Sequence, residues 1–326
     1  MRRLFPLVVS LALFAFPVFA AKKAYQDFVV GNAADVVTST TPGTVLMGGG
    51  TDVDAAFQWM IGKSGGGDFL VIRATGTDAY NPYIYGLGTV DSVETIITVT
   101  RDASFDPFVT DKIRNAEALW IAGGDQSDYV NFWKDTPVED AINYVANVKQ
   151  IPVGGTSAGL AVLGQFMYSA QTGSVTSSQA LADPFHRYIT LDRDFLSIAH
   201  MSGVITDSHF VTRDRMGRFV AFIGRLIKDG WATQVHGIAI DEQTAMLVNP
   251  DGSATRVGNG AVYFMTSNGP PQVCLSRTPL TYRNLPVYKV SGSATFNIAT
   301  WTGSGGLAYT VTAEAGALSS SNGSIY

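Results

Sequence analysis

Short apolar, β-branched runs alternate with segments of helical periodicity through the first two thirds of the chain. Runs at residues 44–47, 69–73, 95–99, 118–122 and 150–153, and later near 203–206 and 237–241, predict strands. Several are apolar at every position, as parallel strands covered on both faces are. Between them, Val138, Ile142, Val145 and Val148 recur at helical spacing. Ahead of that series, Thr136, Pro137 and Glu139 read as a capping box with proline at the first helical position. Asp52 or Asp54 is placed to cap a helix carrying Phe57, Met60 and Ile61 on one face. A later helix carries Phe219, Phe222, Ile223 and Leu226. Strand–helix alternation of this kind predicts an α/β fold with a mainly parallel central sheet.

The texture changes after about Asn249. Turn signals at Asp251-Gly252, Asn259-Gly260 and Asn268-Gly269 separate short strands such as residues 261–265, and helix formers become scarce. Residues 251–326 therefore read as a β-rich extension packed on the domain of residues 22–250, with 319–324 a frayed, Ser/Gly-rich terminus. At the other end, Met1-Arg2-Arg3, an apolar run to about Phe16 and small residues at Ala20-Ala21 describe a secretory leader over residues 1–21. That run is shorter than the ~20 residues a membrane span needs. The expectation is a secreted or periplasmic protein with no stable membrane insertion once the leader is removed. The formal net charge of -5 gives no reason to expect nucleic-acid binding. The single cysteine, Cys274, cannot form an internal disulfide or supply a cysteine metal cluster. A homodimer is compatible with these features.

The candidate chemistry centres on Ser157, in the run Ile151-Pro-Val-Gly-Gly-Thr-Ser-Ala-Gly-Leu160. An apolar run, a glycine-flanked serine and a helix-compatible stretch make the sequence form of a nucleophile elbow. Such a turn exposes the hydroxyl and aims the next backbone N–H at a developing oxyanion. Gly155 and Gly159 suit it because larger residues would collide where the turn packs.

A serine nucleophile needs a base, a carboxylate to orient the base, and oxyanion donors. His209 is favoured among His186, His200, His209 and His236 because it follows a predicted strand, and catalytic groups of open α/β sheets gather at carboxyl strand ends. For the carboxylate, Asp207 and the Asp241-Glu242 pair both qualify, and pattern alone does not choose. Oxyanion donors are expected from Ala158 and a glycine turn, either Gly123-Gly124 or Gly48-Gly-Gly50. Arg213, Arg215 and Arg218 crowd behind His209, and guanidinium forks suit carboxylate recognition.

Taken together these segments resemble the cyanophycinase branch of the S51 serine peptidases, related to aspartyl dipeptidases. The matching pieces run in order: Gly48-Gly-Gly-Thr-Asp-Val-Asp54 with Trp59-Met60; Ala122-Gly-Gly-Asp-Gln126; Gly154-Gly-Thr-Ser-Ala-Gly159. They continue with Asp207-Ser-His-Phe210 followed by Arg213, Arg215 and Arg218, and with Gly237-Ile-Ala-Ile-Asp-Glu242 followed by Thr244-Ala245. The resemblance implies a flavodoxin-like three-layer sandwich, similar to class I glutamine amidotransferase domains. It implies a Ser157–His209–Glu242 triad, oxyanion donors at Gly124 and Ala158, and a substrate pocket using Gln126, Asp207, Ser208, Arg215 and Arg218. It also implies hydrolysis of cyanophycin, a poly-aspartate with arginine on its β-carboxyls, to β-Asp-Arg dipeptides without a cofactor or metal. One departure stands out. Ser208 occupies a position where intracellular cyanophycinases carry glutamine, which removes one substrate contact. Three alternatives stand beside this reading: an S51 peptidase for other aspartyl or isoaspartyl peptides, an α/β-hydrolase esterase, and an inactive exported binding protein.

Overall fold

The computed structural model describes Met1 and residues 23–326. The leader expected over residues 1–21 thus lies, Met1 apart, outside the described residues. Six strands open the fold: β1 (Tyr25–Gly31), β2 (Gly43–Met47), β3 (Asp68–Arg73), β4 (Ser92–Thr98), β5 (Ala118–Ile121) and β6 (Pro152–Thr156). Helices α1 (Asp54–Ser64), α2 (Tyr80–Tyr85), α3 (Pro107–Asn115), α4 (Gln126–Trp133), α5 (Pro137–Tyr144) and α6 (Ala158–Ala161) fall between and after them. The order β4-β3-β5-β6-β2 is parallel throughout, with β1 added antiparallel at one edge. The predicted α/β class with a parallel core is what forms.

The strands that follow divide between two sheets. β7 (Phe166–Tyr168), β8 (Leu191–Arg193), β9 (Val204–Asp207) and β10 (His236–Ile240) belong to a second sheet, whose helical cover is α7 (Ser177–Ala182) and α8 (Met216–Lys228). The chain then returns to the first sheet with β11 (Thr244–Val248) and β12 (Ser253–Gly258), and to the second with β13 (Val262–Thr266) and β14 (Tyr282–Val290). β15 (Thr295–Asn297) and β16 (Thr302–Ser304) finish the first sheet; β17 (Leu307–Glu314) and β18 (Ala317–Ser320) finish the second.

Alternation along each strand explains how the layers stack. In β3, Leu70 and Ile72 face the core shared by both sheets, while Phe69 and Val71 face α1. In β13, Val262 and Phe264 enter that same shared core, while Tyr263 and Met265 turn toward α8. Side chains of a strand point alternately to opposite faces, so strands buried on both sides are apolar at every position. This is why the runs read continuously in the sequence.

Local chemistry departs from expectation at several ends. Neither Asp52 nor Asp54 caps α1; the cap residue is Val53, and Asp54 instead accepts a 2.6 Å hydrogen bond from the Tyr83 hydroxyl. Thr136 does cap α5, but the box is not closed. Glu139 accepts from the amide of Asp135, at 2.5 Å, rather than from that of Thr136. A wider turn at Val145–Lys149 ends the helix and rotates Val148 into solvent. The expected frayed terminus is ordered too: Ser319 and Ser320 lie in β18, and Tyr326 is docked against the body. Among the described residues no helix is long and apolar enough to cross a membrane.

Candidate active site

The β6–α6 junction is a tight elbow. Ser157 sits between the two elements at φ 53 and ψ −110, a conformation costly for a non-glycine residue and characteristic of functional sites. The turn closes because its neighbours are bare backbone. A Cβ on Gly155 would lie 2.6 Å from the Gly159 carbonyl carbon, and one on Gly159 would lie 2.7 Å from the carbonyl carbon of Ile121. The Ser157 amide donates to Met47 of the neighbouring β2. The hydroxyl is thereby presented at the carboxyl end of the parallel strands.

The second sheet supplies the histidine. β9 ends at Asp207, and His209 turns out of the strand line at φ 47. Its Nε2 lies 2.8 Å from Ser157 Oγ, and its Nδ1 lies 2.5 Å from Glu242 Oε1. Glu242 stands in the turn between β10 and β11. Of the carboxylates that pattern alone left open, Glu242, the one the resemblance implies, is the one bonded to His209. Asp207 is engaged by arginines, and Asp241 accepts from the amides of Val211 and Ala261.

The Gly48-Gly-Gly50 turn, weighed above as an oxyanion element, backs this pair instead. Gly49 adopts φ 90, and a Cβ there would come within 2.5 Å of His209 Nε2; one on Gly50 would lie 3.0 Å from Glu242 Cβ. The Gly48 carbonyl accepts from the His209 amide at 2.7 Å, fixing the ring's backbone. Burial pushes the His209 imidazole below its usual range. Glu242 opposes that shift, and the charges of Arg213 and Arg215 add to it. The net direction favours the neutral form of the ring. Glu242 is held below the usual carboxylate range by its hydrogen bond to His209.

Beside the serine lies a cleft of about 260 Å3 lined by Gly124, Gln126, Ser157, Ala158, Tyr168, Asp207, Ser208 and the three arginines. Ala158 opens α6 and Gly124 follows β5; neither amide donates a hydrogen bond among the described residues. First-turn amides of a helix lack intrahelical acceptors, so such a position is open to an anion. Gln126 donates to the Tyr168 carbonyl at 3.1 Å. A cleft of similar size, about 270 Å3, lies at the amino end of β3, and Ser157 is not in its wall.

The charged residues divide into two kinds. Asp207 and Arg218 are 4% and 3% exposed and form a two-point ion pair, with Nε to Oδ2 at 2.8 Å and a second contact to Oδ1 at 2.5 Å. Burial alone would raise the Asp207 carboxyl, but Arg218 and Arg215 outweigh it and hold it below the usual range. Arg215 donates to the Ser208 carbonyl at 2.8 Å, and its hydroxyl and Asp207 lie within 3.3 Å. Along this wall one carboxylate is shared by two guanidiniums, so the group keeps one net positive charge while its polar atoms are bonded to one another. Arg213 is different: it is exposed, lines the cleft, and has no ion-pair or hydrogen-bond partner for its guanidinium among the described residues. The sequence offered it only as one of a trio; its freedom depends on the turn at residues 211–214.

His186, His200 and His236 lie elsewhere, bonded respectively to the Tyr188 amide, the Pro250 carbonyl and the Thr266 hydroxyl. Among the described residues no group of His, Cys, Asp and Glu side chains is arranged to hold a metal ion.

Comparison with known proteins follows from this geometry. No protein-family model matches the chain. Cyanophycinases of Trichormus variabilis and of a Nostoc species are each 27% identical to it over 217 residues, 64% of this chain and 66% of the relative. The chain is similar to the cyanophycinases. The motifs read from the sequence had pointed there. The matched stretch is just under two thirds of those cyanophycinases' own length. The cyanophycinase of Geminocystis herdmanii is also 27% identical, over 150 residues. Among solved structures, a peptidase from an acI-B1 Actinobacterium superposes with a TM-score of 0.53 at 14% identity, covering 79% of this chain and 98% of that one. That likeness extends to the fold.

Proposed function

We propose that this chain is an S51-type serine peptidase that hydrolyses cyanophycin to β-Asp-Arg dipeptides, acting outside the cytoplasm once the leader is removed. The observation that carries the reading is the hydrogen-bonded series Ser157–His209–Glu242 at the mouth of an arginine-lined cleft. Similarity to the cyanophycinases supports the substrate, and the leader-like sequence supports export.

The cycle is acyl transfer. His209 Nε2 takes the Ser157 proton as Oγ attacks an aspartyl carbonyl, and Glu242 steadies the imidazolium. The amides of Gly124 and Ala158 receive the oxyanion, each contributing about 3 kcal/mol by analogy with comparable donors. His209 then returns the proton to the leaving amine, and water, activated by the same ring, releases the acyl group. Arg213 provides exposed positive charge for a substrate carboxylate, while Asp207, Ser208, Arg215 and Arg218 shape the wall that the substrate meets.

Incubation of the mature protein with insoluble cyanophycin, followed by mass analysis of the soluble fraction, tests this directly. The wild type should release β-Asp-Arg, and Ser157→Ala should lose activity by about 10^4-fold or more. Full activity in that variant would remove the proposal. A second reading, an S51 peptidase for other aspartyl or isoaspartyl peptides, is favoured by Ser208: its hydroxyl is short and already within 3.3 Å of Arg215. Rates on short α-aspartyl peptides against β-Asp-Arg release separate the two. The esterase alternative loses ground because α/β-hydrolases place the acid before the histidine, whereas His209 precedes Glu242.

A further inference from the structure

The loop that carries both the base and the free arginine has little regular structure of its own. Residues 211–214 are exposed, and both His209 and Asp214 sit at φ 47. Internal bonds tie it only partly: Arg213 donates its amide to the His209 carbonyl, Arg215 to that of Phe210, and Asp214 to that of Val211. A left-handed residue in an exposed turn persists only where its surroundings hold it.

A restraint comes from 110 positions further along the chain. The Tyr326 hydroxyl donates to Asp214 Oδ1 at 2.8 Å and accepts from the Met216 amide at 3.0 Å. Met216 is the first residue of α8, so this hydroxyl takes one of the helix's orphan amides while holding the residue before Arg215. The ring itself meets Phe210 edge-on at 5.7 Å and 87°, and Tyr263 at 6.1 Å and 81°. The Ile325 carbonyl accepts from the Tyr309 hydroxyl at 3.0 Å, which anchors the segment to β17. The extension therefore reaches across the second sheet and ends as a clasp on the loop behind the cleft.

We infer that Tyr326 is a positioning residue: it fixes residues 211–215 so that Arg213 faces the cleft, and it thereby sets affinity for an anionic substrate. His209 is less dependent on it, because the Gly48 carbonyl, the Gly49 backbone and Glu242 hold the imidazole from the opposite side. Losing the clasp should accordingly act on KM more than on kcat. This rests on the peptidase reading for its kinetic arm, and a second arm is independent of it.

Tyr326→Phe removes the hydroxyl and keeps the ring. KM for the aspartyl substrate should rise about five- to tenfold, the scale of one ordinary hydrogen bond, with a smaller change in kcat. Limited trypsin digestion should cut after Arg213 and Arg215 several-fold faster than in the wild type, while cleavage after the exposed Arg283 and the thermal midpoint change little. Asp214→Asn removes the acceptor charge from the other side; combined with Tyr326→Phe it should add little, as for two partners of one contact. Equal tryptic rates in wild type and variant, or unchanged KM in an active enzyme, overturn the inference. A wild type that hydrolyses nothing defeats the peptidase reading alone, and the tryptic rates still decide the clasp.

Discussion

At the scale of single residues, the His209 imidazole is tuned by its surroundings in opposing directions. Burial, Arg213 and Arg215 depress the His209 pKa and Glu242 raises it, with depression the net result. A base works in its neutral form, so activity is lost as pH falls through that depressed value. The acid limb of kcat/KM should therefore centre below the usual histidine value of about 6.5. Arg213→Ala removes one depressing charge, and the limb should move to higher pH; a limb that stays in place would separate Arg213 from the imidazole's field. The serine itself was legible in the sequence because two glycines at fixed spacing are a requirement of backbone packing. Pattern alone left its carboxylate open among Asp207, Asp241 and Glu242, and only the resemblance named Glu242, because the pairing turns on left-handed residues at His209 and Gln243 that the run of side chains does not announce.

Elements carry a different burden. Asp207 closes β9 and Arg218 lies in the first turn of α8, so their ion pair joins a strand end to a helix start inside the wall of the cleft. Removing one partner from a buried pair leaves an uncompensated charge, which costs about 3–5 kcal/mol. Asp207→Ala should lower stability by that order in denaturant unfolding, and a loss under about 1 kcal/mol would show the pair to be solvated. The acid range gives the sign. A carboxylate with a depressed folded value stabilises above its unfolded value of 3.8, and the contribution disappears as pH falls through the folded one. The five strands of the parallel core, with β9, β10 and β13, were readable from their apolar runs, and α8 from four residues at helical spacing. The ends were harder. Glu139 turned to Asp135 instead of Thr136, and a wide turn took Val148 off its face, because ends obey local bonding that periodicity does not encode.

At the scale of the whole molecule, the sequence conveyed the parallel core but not the division into two sheets. Strand identity follows from local pattern, whereas sheet membership follows from partners far away: β11 joins β2, and β13 joins β10. The β-rich character of the tail was legible, but its Ser/Gly-rich residues 319–324 read as frayed chain, whereas Ser319 and Ser320 lie in β18. The shared core contains Leu46 and Ile72 of the first sheet and Ile238, Val262 and Phe264 of the second. Ile238→Ala should cost about 2–5 kcal/mol, measurable by urea titration.

Ser157 hangs from one sheet and His209 from the other, while Glu242 occupies the crossing between them. Their alignment is therefore a gauge of how the two layers are seated. A cavity opened between the layers, far from any reacting atom, would let them settle by fractions of an ångström and separate hydroxyl from imidazole while both sheets stayed folded. Turnover would then decline at denaturant concentrations where spectroscopic signals of folding had not yet moved.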